Sequence, residues 1–205
     1  MSRFLIGLDP SYTRTGICII DLENKTIVFE TASEKIGEKQ FENVVKAAKS
    51  IVNQLKEVFE KYCGGGDYDI VSENPLPCSS MSPALYALDS LIYREFEPHI
   101  KITYNPRTLA SRIHGHKYSK TDSQDLAEKY LKTLSEKMYT ILSVIGTKRR
   151  ITNDNAEAFL YCHLYLKDLG HADFQFDNSE EIAAYKVRMK EFKKREKALL
   201  SGKQD

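Results

Sequence analysis

The sequence predicts an α/β fold built on a mixed sheet, and three observations carry that prediction. Short apolar runs bounded by turn residues crowd the amino-terminal third. A long segment with apolar residues three and four apart follows, and strand-like and helix-like stretches then alternate. At 205 residues, with 41% hydrophobic and 29% charged side chains, the chain has room for one domain with a substantial core.

Taken in order, FLIGLD (4–9) reads as a buried strand, and the polar turn SYTRT separates it from a second run, GICIID (16–21). Glu23-Asn24 turns into a third run, TIVFETA, so the opening is an antiparallel meander. From Gln40 to Tyr62 the period changes: Phe41, Val44, Val45, Ala48, Ile51, Val52 and Leu55 trace one helical face. Gly64-Gly65-Gly66 stops that helix, and YDIVS (68–72) is a fourth strand delivering Glu73 at its carboxyl end. Asn74-Pro75-Leu76-Pro77 is a loop, because neither proline can continue a central strand. Ser82-Pro83 starts a helix that runs to about Phe96 and is closed by Pro98. IKITY (100–104) is a fifth strand, Arg107–His114 a short helix stopped by Gly115, and Thr121 or Asp122 caps a helix reaching about Met138. A strongly apolar helix spans Asn153 to Leu169, with Gly170 as its stop. Residues 1–170 therefore form the expected domain. Residues 171–205 read as a charged, helix-prone extension whose apolar stripe (Ile182, Tyr185, Met189, Phe192) is narrow.

Composition excludes several classes. The apolar opening is too short for a signal-peptide core, and no stretch approaches the ~20 apolar residues that cross a bilayer, so a cytoplasmic protein without membrane contact is expected. Four scattered cysteines (Cys18, Cys63, Cys78, Cys162) make no CxxC pair, which points to buried thiols rather than a zinc site or disulfide framework. The net charge is +1, but its distribution is uneven. Between Lys101 and Lys120 lie five Lys/Arg, two His and no acid, and Lys148-Arg149-Arg150 forms a second cationic cluster. Such runs are either solvated faces or a surface for an anionic polymer.

Four acids carry the chemistry. Asp9 and Glu73 each end an otherwise apolar strand, where a charge is costly unless exposed, paired or metal-bound. Asp154 and Glu157, three apart in the first turn of a helix, share one face near the positive end of its dipole. Capping alone would account for Asp154 and Glu157, and turn initiation before Pro10 for Asp9. A joint reading is a divalent-cation site. Hydrolysing a phosphodiester needs an activated water and a stabilised leaving oxygen; two Mg²⁺ ions roughly 3.5–4 Å apart supply both. Mg²⁺ prefers carboxylate oxygens, and no protein nucleophile is needed.

The run Gly7-Leu8-Asp9-Pro10 with Thr15-Gly16, then Glu73 at a strand end, then Tyr104-x-Pro106, Gly115 and Ser119-Lys120 before a helix, and finally Asp154-x-x-Glu157 followed by AFLYCHLYL, resembles the RuvC-type Holliday junction resolvases of the RNase H-like superfamily. The resemblance covers roughly residues 3 to 169, in order. It implies an RNase H-like fold, a five-stranded mixed sheet flanked by helices on both faces. It implies a homodimeric endonuclease that resolves four-way or related branched DNA, with two Mg²⁺ (or Mn²⁺) per site held by Asp9, Glu73, Asp154 and Glu157. Lys120 would contact phosphate or stabilise the transition state, Arg107, Arg112 and Lys117 would hold the DNA backbone, and the helix after Pro83 would carry the dimer contact. The chain also departs from the pattern. Ser11 replaces the usual glycine after Asp-Pro, Ala110 stands where a second lysine is common, and Leu76 takes the place of an aromatic wedge. The closing acid is Glu157 rather than Asp or His, and the extension from His171 is additional. These differences suggest a divergent, phage-type member acting in its host's cytoplasm. Three other readings compete. The two-domain sugar kinase, actin and chaperone ATPases share a GLDPSYTRTG-like hairpin but need a longer chain. A transposase or integrase core would bring further DNA-binding domains. A non-catalytic branched-DNA-binding module would have no use for four acids facing phosphate.

Overall fold

Strands β1 (Phe4–Asp9), β2 (Arg14–Asp21) and β3 (Thr26–Ser33) form the expected antiparallel meander, with Asp9 opposite Gly16 at the turn end of the first hairpin. The turn between β1 and β2 is closed by Thr15, fully buried, whose Oγ1 donates to the Ser11 carbonyl at 2.8 Å and accepts from the Ser11 amide at 3.1 Å. Strand β4 (Tyr68–Glu73) lies parallel beside β1, and β5 (Lys101–Tyr104) lies parallel beside β4. This computed structural model describes residues 2–35, 41–74, 82–96, 101–114, 120–143 and 151–177, together with positions 179, 182, 183 and 187. Leu76, Cys78, Gly115, Lys117, Ser119 and the Lys148–Arg150 cluster lie outside the described residues, as do most of the extension and the side chains of Arg107 and Lys120.

Among the described residues the sheet has six strands in the order β5-β4-β1-β2-β3-β6, one more than expected. The addition is β6 (Thr140–Ser143), parallel to β3 at the sheet edge. Its four residues, TILS, are too few to display an alternating pattern, and Met138, at φ 69°, turns the chain into it immediately after a helix.

Two-residue periodicity divides the sheet into two buried faces. Phe4, Ile6 and Leu8 of β1, Ile17 and Ile19 of β2 and Ile70 of β4 pack against α1 (Phe41–Cys63) and α2 (Ser82–Glu95). Leu5, Cys18, Ile20, Phe29 and Val71 face the other way, toward α3 (Pro106–Leu109) and its π-helical continuation Ala110–His114, α4 (Lys120–Glu136) and α5 (Asn153–Asp168). Because both faces are covered, these strands read as continuous apolar runs rather than as alternating ones. Gly64 and Gly65 end α1 at φ 54° and 75°, a region other residues enter only with strain.

Helix α5 lies against the sheet with almost no space between backbones. A Cβ on Gly7 would sit 2.1 Å from the Ala158 carbonyl oxygen, and one on Gly16 would sit 2.2 Å from the Asp154 carbonyl carbon. The helix starts at Asn153, as expected, and is capped by Thr152, whose hydroxyl accepts from the Asn155 amide. Asn155 is wholly buried and donates from Nδ2 to the Ile17 carbonyl at 3.1 Å and the Glu30 carbonyl at 2.6 Å, tying the first turn to both β2 and β3.

The chain past Gly170 folds back onto this layer. A 3-10 turn, Ala172–Phe174, sends Phe174 and Phe176 into the core, where the Phe176 ring stacks on Tyr130 at 4.4 Å and lies 5.1 Å from His163. His163 is completely buried on α5, and neither ring nitrogen has a hydrogen-bond partner among the described residues. Burial, reinforced by Lys167, pushes its pKa down to about 3.

Two outcomes are expected. Gly7→Ala should destabilise the fold by about 1–3 kcal/mol in a denaturant titration, because Ala158 meets the new methyl with backbone. Between pH 6.5 and 3 the unfolded chain protonates His163 and the folded one does not. Stability should therefore fall as the pH drops through that window, by up to about 1.4 kcal/mol per pH unit from this group. Replacing His163 with Phe should flatten that slope in urea titrations at pH 7 and pH 5.

Candidate metal centre

The sheet's alternation decides where the acids point. Residues 5, 7 and 9 of β1 and residues 71 and 73 of β4 share one face, so Asp9 and Glu73 project from the ends of adjacent parallel strands toward α5. Helix α5, seated on Gly7 and Gly16, brings Glu157 to the same place. Asp9, Glu73 and Glu157 each offer a carboxylate oxygen, and the three lie within 4.8 Å of one another, each half-buried. Asp154 stands in the first turn of α5. Because Thr152 is the residue that caps the helix, capping does not explain Asp154 or Glu157.

Like charges at this spacing must be neutralised by protons or cations. Burial first, then the charges of Glu157, Glu73 and Asp154, hold the Asp9 pKa well above the usual carboxylate range, and a hydrogen bond with Glu73 adds to the effect. Glu73 is also raised, because burial outweighs the lowering influence of the nearby Tyr161 hydroxyl and of Asp9. Without a cation, then, these carboxyls hold their protons to higher pH than isolated ones do. A divalent ion bound to these oxygens would displace those protons, and the all-carboxylate donor set suits a hard cation.

The fourth acid has a different environment. Asp154 Oδ2 lies 3.1 Å from Nε of Arg14, a residue that opens β2 on the face α5 covers. Its charge still contributes to the raised pKa of Asp9.

The cationic residues are placed unevenly. The Arg112 guanidinium donates through both terminal nitrogens to Asp168, near the end of α5, and the Tyr104 hydroxyl joins the same carboxylate at 3.0 Å. That guanidinium holds Asp168 below the usual carboxylate range. The backbone of Arg107 belongs to α3, and Lys120 opens α4.

Sequence reasoning missed four contributors: Thr152, Asn155, Tyr161 and Arg14. Thr152 carried a legible signal, a hydroxyl residue directly before the helical pattern. The roles of Asn155 and Tyr161 depend on which strand each meets across the fold.

No family model and no curated protein matches the sequence. Solved structures do. The chain is similar to RuvC of Thermus thermophilus, with a TM-score of 0.55 at 15% identity, over 82% of this chain and 96% of that one. It is similar to T. thermophilus RuvC in complex with a Holliday junction substrate, with a TM-score of 0.53 at 14% identity and the same coverage of 82% and 96%. The yeast mitochondrial Holliday junction resolvase Ydc2 is a further neighbour, with a TM-score of 0.48 at 16% identity over 93% of this chain and 84% of that one. The class defined by sheet order, covering helices and strand-end acids is the RNase H-like fold. RuvC of T. thermophilus is among the solved structures that share this fold with the chain.

Charge crowding gives a prediction that needs no activity. The unfolded chain ionises Asp9 in the ordinary carboxylate range, and the folded chain does so only at higher pH. In chelator, therefore, stability should decline as the pH rises through that interval. Asp9→Asn should raise the melting temperature at pH 7.5 in chelator and abolish the rise that Mg²⁺ or Mn²⁺ gives the wild type. A melting temperature in chelator lower than wild type would contradict the crowding.

Proposed function

We propose that the protein is a divalent-metal-dependent endodeoxyribonuclease that resolves four-way (Holliday) junctions or closely related branched DNA. The observation that carries this reading is the convergence of Asp9, Glu73 and Glu157 at the strand ends of an RNase H-like sheet. Three carboxylates kept together against their own repulsion serve cation binding better than they serve folding. Bound there, divalent cations would activate a water and stabilise the leaving oxygen of a phosphodiester, with Mg²⁺ as the expected ion and Mn²⁺ as a substitute.

In this reading Asp9, Glu73, Asp154 and Glu157 are the ligands, and the nearby Tyr161 hydroxyl, which favours the ionised form of Glu73, would support it as a ligand. Lys120, which opens α4, would contact the reacting phosphate. Arg107, Arg112 and Lys117 position the DNA backbone without reading its sequence, Arg112 by exchanging Asp168 for a phosphate. Two symmetric nicks call for two sites related by a two-fold axis, and the described residues of one chain contain one such acid cluster, so the working unit is a homodimer.

The test is a Mg²⁺-dependent cleavage assay on a four-way junction, a fork, a flap and a linear duplex. Paired symmetric nicks on the junction are expected, and equal cutting of linear duplex would remove the branched-DNA assignment. Asp9→Asn and Glu73→Gln should lower cleavage by about a hundredfold or more while leaving junction binding within a few fold. Retained cutting by either variant would overturn the ligand assignment. Lys120→Ala should slow cleavage more than it lowers stability. Sedimentation of the protein–junction complex should give two chains per junction.

A further inference from the structure

Arg14 shares its strand face with Gly16 and Cys18, the face that α5 covers. Because Gly16 lets the first turn of α5 descend onto β2, the Asp154 carboxylate comes down beside Arg14, and Nε lies 3.1 Å from Oδ2. The Asp154 side chain is 19% exposed and that of Arg14 48%, so the guanidinium approaches the carboxylate from the solvent side. The other three acids crowd together within 4.8 Å and Asp154 is not among them, although its charge reaches Asp9. The fourth acid is at hand, but it faces a cation that the chain itself supplies.

We infer that Arg14 is a latch on the fourth acid: it keeps Asp154 out of the ligand set until a DNA phosphate takes the guanidinium, so the second cation position is completed only on substrate. This rests on the metal-dependent nuclease reading above. Carboxylate and phosphate oxygens accept the same planar donor fork, so Arg14 can exchange one for the other without repositioning its backbone. An ion pair this exposed contributes little net stability, and DNA brings phosphates at high local density, so exchange is favoured over a permanent pair. One movement then does two things: it neutralises a phosphate and frees a carboxylate next to Asp9. Arg14 acts through Asp154 and is a positioning residue. No covalent bond is made or broken in the exchange.

The experiment is a Mn²⁺ titration of the full-length protein without DNA, with free Mn²⁺ followed by electron paramagnetic resonance. Wild type should bind one ion tightly and a second weakly. Arg14→Gln should tighten the second by about tenfold, the scale of a lost outer-shell contact. Arg14→Lys should lie between the two, because a lysine keeps the charge and loses the fork. The double variant Arg14→Gln/Asp154→Asn should lose the gain, and Arg3→Gln, the same charge change at the opposite end of β1 beside Asp21, should show none. With a four-way junction made cleavage-resistant by phosphorothioates bound, and junction alone as the blank, wild type should bind the second Mn²⁺ as tightly as Arg14→Gln. An Arg14→Gln isotherm identical to wild type, a gain that survives in the double variant, or a gain equalled by Arg3→Gln would overturn the latch. A second ion still weak on the junction would overturn its release by phosphate. Those failures leave tight binding of the first ion intact, whereas a wild type that binds no Mn²⁺ at all would overturn the metal-centre reading and the latch with it.

Discussion

The structure depends on one contact, the descent of α5 onto bare backbone at Gly7 and Gly16. Any side chain at either position would collide with the helix's own backbone, at Ala158 or at Asp154. Because β1 and β2 are registered with Gly7 opposite Cys18 and Gly16 opposite Asp9, the two glycines fix both the height of α5 and its position along the hairpin. Asn155 then fixes its start by donating to carbonyls on two strands. A helix held this way carries Glu157 to Asp9 and Glu73 with little positional freedom, which a ligand cluster requires. The same contact explains why ten of the sixteen residues of α5 are buried and why its sequence is apolar nearly all round.

The energetic cost of the site falls on this contact as well. Asp9 and Glu73 face α5 rather than solvent, so burial raises both pKa values before their mutual repulsion is counted. Packing elsewhere must offset the penalty, and the aromatic layer of Tyr130, His163, Phe174 and Phe176 beneath α5 is placed to do so. His163 belongs to that layer as an uncharged ring, kept neutral by its surroundings.

Much of this was legible in the sequence, for identifiable reasons. Asp9 and Glu73 stood out because a charge interrupts an apolar run where a strand ends, and Asp154 and Glu157 because helical spacing puts them on one face. The meander and the five main helical segments were readable from periodicity and from glycine stops. What escaped was non-local. Strand β6 has four residues and gains its identity only from pairing with β3. Phe174 and Phe176 looked like the start of a polar extension, because their partners lie on α4 and α5. Arg14 was one residue of a polar turn, and only the close approach at Gly16 shows that it meets Asp154, 140 positions later.

The four acids therefore divide by the direction from which their compensation comes. Asp9, Glu73 and Glu157 converge where the sheet and α5 shut out much of the solvent. Asp154 sits one helical turn before Glu157, at the rim, where Arg14 reaches it from the solvent side. Moving Arg14's charge inward would quench the triad and leave nothing for a cation to neutralise. Removing it would add a fourth uncompensated carboxylate to a site whose Asp9 already resists ionisation. A guanidinium at the rim satisfies both limits: it compensates Asp154 from the solvent side and leaves the inner three crowded. The hairpin that supplies Asp9 at the end of β1 supplies Arg14 at the start of β2. A five-residue step along one turn thus sets both the crowding and its relief.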